Sequence, residues 1–238
     1  GSEIKSILST NIFNVEADTN KIPEYLSMRY VPGKSTLFKN IFKLKPGSWM
    51  KWENGKISSK SFWSYDQVCP KLNIKNYQEE FDMLFQDAIK ARTSEEVKFG
   101  AYLSGGLDSN SIVETLTNFS NQKLNTFTIG FDWQGDELEQ ARNSAKQFNT
   151  NHHEFLFKGN DFEKLPKIIW HSDQPLGDPI VIPTYLLAEQ AAKEVKVVLT
   201  GEGADEILGG YLFHKAIFFA NHYKKFIPNF IHKNIILP

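Results

Sequence analysis

The sequence predicts an α/β protein: a doubly wound parallel sheet with helices on both faces, preceded by a small β-rich N-terminal segment. Three observations carry that reading. From Tyr77 onward, stretches of helical spacing alternate with short apolar runs, the pattern of strand–helix crossovers in a parallel sheet. Residues 97–103 form one such run and lead into Ser104-Gly105-Gly106-Leu107-Asp108-Ser109, a glycine turn from strand to helix. A second run at 195–200 leads into Gly201-Glu202-Gly203-Ala204-Asp205. Open sheets of this kind bind ligands beyond the carboxyl ends of their strands, where both loops fall.

Taken in order, residues 1–70 differ from the rest, with Pro32-Gly33, Pro46-Gly47 and short alternating runs that read as turns and edge strands. Asn54-Gly55, flanked by Trp49-Met50-Lys51-Trp52 and Lys56-Ile57, signals a hairpin, because such turns need positive φ at both central residues. Its tryptophans are expected to be packing residues. Tyr77, Phe81, Leu84, Phe85, Ala88 and Ile89 recur at helical spacing and predict an amphipathic helix over 77–92. The second domain, 71–238, then continues as strand 97–103, helix 110–119, strand 124–131, helix 137–148 and strand 153–157. Helices at 163–170 and 183–194 and a strand at 195–200 follow. The aromatic stretch 211–223, with Phe213, Phe218 and Phe219, reads as a core helix, since His214, Lys215, Asn221 and His222 interrupt it.

Composition excludes several function classes. The chain has 238 residues, 27 basic against 28 acidic side chains and a net charge of −1, so no basic stripe invites nucleic acid. No apolar run approaches the ~20 residues of a membrane helix. A single cysteine, Cys69, cannot form an internal disulfide, and no signal peptide opens the chain; both point to the cytoplasm. Cys69 lies in a linker, Gln67-Val68-Cys69-Pro70, and reads as structural. His152-His153-Glu154 is not read as a metal site, because successive strand residues face opposite ways.

The turn at 103–109 has the chemistry of a pyrophosphate cradle. Glycines let main-chain N–H groups approach an anion, the following helix aims its positive end at it, and Ser104 and Ser109 add hydroxyls. No lysine follows these glycines, which excludes the Walker type of phosphate loop.

Ser104-Gly105-Gly106-Leu107-Asp108-Ser109 resembles the PP-loop of the N-type ATP pyrophosphatases. Thr200-Gly201-Glu202-Gly203-Ala204-Asp205-Glu206, followed by Gly209-Gly210-Tyr211, is similar to the second signature of their asparagine synthetase branch. The resemblance implies an adenine nucleotide alpha hydrolase-like fold and an ATP-dependent ligase that adenylates a carboxylate, releases pyrophosphate and passes ammonia or an amine to the acyl-adenylate. It also implies magnesium, held by Asp108 and Asp205, and a catalytic role for Glu202 in forming the adenylate. Ser104, Gly105, Gly106 and Ser109 would hold the pyrophosphate, and Leu103, Ile129, Thr200 and Gly201 the adenosine. The competing readings are helix N-capping for the two aspartates and core packing for the strand residues.

Residues 25–63 resemble the segment that joins glutaminase and synthetase domains, and Ser2-Glu3-Ile4-Lys5 a piece of the glutaminase itself. Most of the glutaminase, with its N-terminal cysteine nucleophile, and the C-terminal part of the synthetase are expected to lie outside this sequence. Ammonia would then come from glutamine in the full-length protein. A homodimer is compatible with the sequence. Asp173-Gln174-Pro175-Leu176-Gly177-Asp178-Pro179 is expected to line the acceptor pocket, but Leu176-Gly177 and Pro179 stand where an arginine clamp for aspartate is expected. The acceptor therefore stays open between ammonia and an amine of a sugar, peptide or β-amino acid. A nucleotide-binding module without activity is the third reading.

Overall fold

A computed structural model describes residues 1–12, 14–65, 76–93, 96–120, 122–131, 133 and 135–226. Cys69 and the boundary expected at residue 70 lie outside the described residues. The helices are α1 (Ile4–Leu8), α2 (Ile22–Met28), α3 (Tyr77–Lys90), α4 (Leu107–Phe119), α5 (Leu138–Gln147), α6 (Leu165–Ser172), α7 (Val181–Ala191), α8 (Ala204–Leu208) and α9 (Leu212–Phe226). The strands are β1 (Ser48–Glu53), β2 (Lys56–Ser61), β3 (Phe99–Tyr102), β4 (Asn125–Gly130), β5 (Asn151–Leu156) and β6 (Val197–Leu199). These elements divide between two compact units, the first comprising Gly1–Ala88, Phe131–Trp133 and Phe155–Lys193, the second Ile89–Gly130, Gln134–Glu154 and Glu194–Pro238.

In the first unit, β1 and β2 pair antiparallel with Glu53 opposite Lys56, so Asn54 and Gly55 form a two-residue turn with φ of 50° and 75°. Positive φ at both positions matches the right-handed twist of the strands. Contrary to expectation, Trp49 and Trp52 are not packed: they are 43% and 71% exposed. Alternation identifies two faces of a hairpin, but a lone two-stranded ribbon has no second layer to bury either. The N-terminal segment is tied down by Asp173, whose carboxylate accepts from the N–H groups of Ile4 at 2.6 Å and Lys5 at 3.2 Å and pairs with the Lys5 ammonium at 2.9 Å. Val31, Ile41, Ile168, Ile182, Leu186 and Leu187 are buried.

The second unit holds a four-stranded sheet ordered β5-β4-β3-β6, with β3 parallel to both β4 and β6. Its central strands β3 and β4 are short and largely buried, as strands covered by crossover helices are, while β5 and β6 at its edges are partly exposed. Ala101, Leu103, Phe127 and Leu199 form the sheet core, with Ile112, Val113 and Leu116 of α4 packed on it. Those three positions recur at helical spacing. On α5, Ala141 and Ala145 are one turn apart and buried, and small residues there let the helix approach β4 closely. Gly100 is fixed by crowding, since a Cβ there would stand 2.6 Å from the Asn125 carbonyl oxygen and 2.9 Å from the Phe127 ring.

The aromatic helix α9 forms, but not as a core helix: Phe213, Phe218 and Phe219 are 55%, 58% and 67% exposed. Its rings pack on one another, Phe218 on Phe219 at 5.9 Å between centroids and Phe213 on Tyr211 at 5.1 Å. Apolar content predicts a helix that tends to be covered, and cannot say what covers it. Among the described residues, no helix is long and apolar enough to cross a membrane.

Consecutive residues of β5 face opposite ways, as alternation requires. His152 Nδ1 lies 3.0 Å from the Thr126 hydroxyl, whereas His153 stacks on Phe127 at 5.0 Å and hydrogen-bonds Asn125 at 3.0 Å. His152 Nε2 is buried without a hydrogen bond, 3.6 Å from Glu154, which is itself held by Arg142 at 2.6 Å. Burial, helped by His153 and Arg142 and opposed by Glu154, holds the His152 imidazole below its ordinary value of 6.5. A histidine with a depressed folded-state pKa binds fewer protons folded than unfolded. Its effect is therefore a loss of stability as pH falls through about 6.5. Glu154 is also depressed, by its hydrogen bond to Arg142, but that carboxylate acts below about 4.5, a separate window. The urea midpoint is expected to drop between about pH 8 and about pH 5.5, and His152→Gln to flatten the drop. An unchanged slope in that variant would remove His152 from the account.

Candidate functional site

β3 delivers the chain into the glycine turn, and α4 begins at Leu107, three residues before the sequence pattern placed it. Gly106, extended at φ −77° and ψ 155°, is its N-cap, and the Asn110 amide donates to the Gly106 carbonyl at 2.7 Å. Asn110 thus supports the turn, a role that helical periodicity does not reveal. Because the helix starts early, Asp108 and Ser109 lie in its first turn. N–H groups there have no carbonyl within the helix to bond and carry the positive end of the macrodipole.

The turn is internally braced by the two serines. Ser109 Oγ accepts from the Ser104 N–H at 3.1 Å, the two hydroxyls lie 2.9 Å apart, and Ser104 Oγ accepts from the Gly106 N–H at 3.1 Å. Ser109 is buried and Ser104 half-buried, so the braces are fixed by packing. Entry into the turn is pinned as well: the Leu103 N–H donates to the Phe127 carbonyl at 2.9 Å, and the Thr128 hydroxyl donates to the Leu103 carbonyl. Leu103 is 2% exposed and packs in the core, while Ile129 on β4 is half-buried.

The second loop arrives from β6, whose Leu199 is opposite Ala101, so Thr200 and Gly201 emerge beside the glycine turn. A Cβ at Gly201 would stand 3.0 Å from Asp108 Cβ and 3.2 Å from the Ser109 nitrogen. A side chain at position 201 would force the first loop to give way, so glycine lets the two loops meet this closely. Gly203, at φ 91°, then turns the chain into α8, with Asp205 in its first turn. Neither aspartate is an N-cap, since Gly106 and Gly203 occupy those positions, and this overturns the capping alternative. After α8 the chain folds back, the Gly209 and Gly210 N–H groups donating to the Asp205 carbonyl at 2.9 and 3.1 Å.

Glu202, in the second loop, is exposed. Two tyrosines stand around it: Tyr102, to which the sequence gave no role, and Tyr211, which closes the second signature. Burial first, and the Glu202 carboxylate second, push the Tyr102 phenol up. The Tyr211 hydroxyl donates to Glu206 at 3.0 Å, and that bond, with burial and the charges of Glu206, Asp205 and Glu202, raises Tyr211. Their signal in sequence was adjacency to each loop, not spacing. Among the described residues no cluster of three or more metal-ligating side chains forms. Two carboxylates, Asp108 and Asp205, remain at the neighbouring loops, an oxygen donor set suited to magnesium, which keeps few protein ligands beside water and phosphate.

In the first unit, the expected acceptor segment is engaged structurally at several points. Besides Asp173 on α1, the Gln174 side chain accepts from the Leu37 N–H at 2.7 Å, and the Gly177 N–H donates to the Arg29 carbonyl at 2.8 Å. Gly177 is required there, since a Cβ would stand 2.8 Å from Arg29 Cβ.

Against known proteins, the sequence model described as Asparagine synthase matches residues 80–236, the span that holds both loops. The chain belongs to the asparagine synthase family. The Glutamine amidotransferase domain model matches residues 1–63, preceding the asparagine synthase match. A protein provisionally named asparagine synthetase (glutamine-hydrolysing) 2 from Methanocaldococcus jannaschii is 37% identical over 219 residues, which is 90% of this chain and 42% of that protein. Asparagine synthetase (glutamine-hydrolysing) 1 of Bacillus subtilis is 35% identical over 224 residues, 90% of this chain and 34% of the relative. Asparagine synthetase B of Escherichia coli is 30% identical over 201 residues, 75% of this chain and 35% of the relative. The chain therefore spans between 34% and 42% of the length of these three relatives.

Proposed function

We propose that this chain carries the nucleotide-binding part of an ATP-dependent, amide-forming ligase that takes its ammonia from glutamine. The observation that supports it most is the convergence of two glycine loops, with Gly201 against Asp108 and Ser109 at the ends of adjacent parallel strands. In this reading the carboxylate substrate attacks the α-phosphate of ATP, the bond to the β-phosphate breaks, pyrophosphate leaves and an acyl-adenylate remains. Ammonia then displaces AMP to form the amide.

The residues divide that work. First-turn N–H groups of α4 and the loop backbone at Gly105 and Gly106 receive the charge that develops on pyrophosphate, with Ser104 and Ser109 holding the turn in shape. Such preorganised donors act without reorganising during the reaction. Asp108 and Asp205 would hold magnesium, which would neutralise phosphate charge. Glu202 supports adenylate formation, with Tyr102 beside it, and Leu103, Ile129, Thr200 and Gly201 contribute to the adenosine pocket. Localisation in the cytoplasm is part of the same proposal.

The test is release of pyrophosphate from ATP with magnesium, followed over a panel of carboxylates including aspartate, in the intact protein with glutamine or ammonium as donor. Carboxylate-dependent pyrophosphate release with amide formation is expected. ATP binding without pyrophosphate release from any carboxylate would favour the non-catalytic module.

A further inference from the structure

α5 approaches the glycine turn from the side of β4. Leu138 packs towards Gly130, where an added Cβ would run into its side chain, and Ala141 is fully buried. Gln140, between them, is exposed. It stands against Gly105: a Cβ added there would lie 2.6 Å from Gln140 Cβ, 3.2 Å from its Cγ and 3.9 Å from its Cδ. The base of the Gln140 side chain therefore occupies the space that a side chain at position 105 would need, beside the glycine turn.

We propose that Gln140 is a phosphate-binding residue: its carboxamide closes the cradle over Gly105 and donates an N–H to the pyrophosphate part of the bound nucleotide. This rests on the reading of the turn as an ATP site. Chemistry favours the assignment. A carboxamide offers two donors and carries no charge, so it can add a hydrogen bond to an anion that already faces backbone N–H groups and a helix end. Glycine at 105 then has two reasons, close approach of the ligand from one side and of Gln140 from the other. The sequence reading passed over Gln140 because it lies on a helix, 35 residues from Gly105, at a position that helical periodicity marks only as solvent-facing.

The experiment is calorimetric titration of the chain with ATP and magnesium, with inorganic pyrophosphate and with AMP, for the wild type, Gln140→Leu and Gln140→Glu. Loss of one hydrogen bond to a charged group predicts that Gln140→Leu binds ATP and pyrophosphate on the order of tenfold more weakly, with AMP unchanged. Gln140→Glu, which adds a negative charge of similar shape, is expected to bind both more weakly still. A merely structural role would lower all three ligands together and lower the thermal midpoint. ATP and pyrophosphate binding equal to wild type in both variants, or an equal loss for AMP, would overturn the proposal. Failure of the wild type itself to bind ATP would instead overturn the ATP site on which it rests.

Discussion

Asp108→Ala is expected to abolish the magnesium-dependent part of ATP binding, a weakening on the order of a hundredfold, about 2.7 kcal/mol. The size follows from the place of the residue. Asp108 sits in the first turn of α4, half-buried, with Gly201 of the second loop packed against its Cβ. A carboxylate there would face both the cation and the phosphates, so removing it takes away a ligand of the ion and leaves phosphate charge less neutralised. Stability should suffer little, since an acidic residue in the first turn of a helix contributes only about 0.3–1 kcal/mol. Calorimetry with and without magnesium, beside a thermal melt, separates the two effects. Binding that stays magnesium-dependent and undiminished in both Asp108→Ala and Asp205→Ala would remove the metal role from these residues.

Phe127→Ala is expected to be the most damaging core substitution, at about 3–5 kcal/mol. The ring is fully buried at the centre of the sheet, stacked on His153 at 5.0 Å and close enough to β3 that only glycine fits at position 100. Truncation would leave a cavity that a three-residue β6 and a four-residue β3 have little freedom to fill. At about 2–4 °C per kcal/mol for a chain of this size, the thermal midpoint should fall by roughly 10 °C. The Phe127 carbonyl also accepts the Leu103 N–H that pins the glycine turn, so ATP binding should weaken as a secondary consequence. Trp52→Ala is the control: that ring is 71% exposed, and its loss should cost less than about 0.5 kcal/mol. Equal losses in the two variants would contradict the assignment of the core to the sheet.

Much of the fold was legible because it rests on local rules. Asn54-Gly55 specified its turn by φ preference alone, and strands 97–103 and 124–131 were visible as apolar runs, trimmed in the structure to Phe99–Tyr102 and Asn125–Gly130. Residues 163–170 were read as one helix and fold as a 3-10 turn, Gly159–Lys164, running into α6, because Pro166 suits the first turn of a helix rather than its interior. Of the site, both glycine loops and their acidic residues could be named from motif. Asn110, Thr128, Tyr102 and Gln140 could not, since each acts through a partner distant in sequence or through a helix start that periodicity misplaces.

The sequence by itself determined the α/β class, the order of the elements and the two glycine loops that mark the site, because these follow from side-chain period, turn chemistry and the steric freedom of glycine. Tertiary structure alone decided three things. It set the strand order β5-β4-β3-β6, which makes β3 and β6 neighbours and so brings Gly201 onto Asp108. It left Trp49, Trp52 and the α9 phenylalanines exposed, and it set Gln140 against Gly105. Each depends on which surfaces meet across long stretches of chain, and local patterns of hydrophobicity state only that a surface wants a partner, not which one it finds.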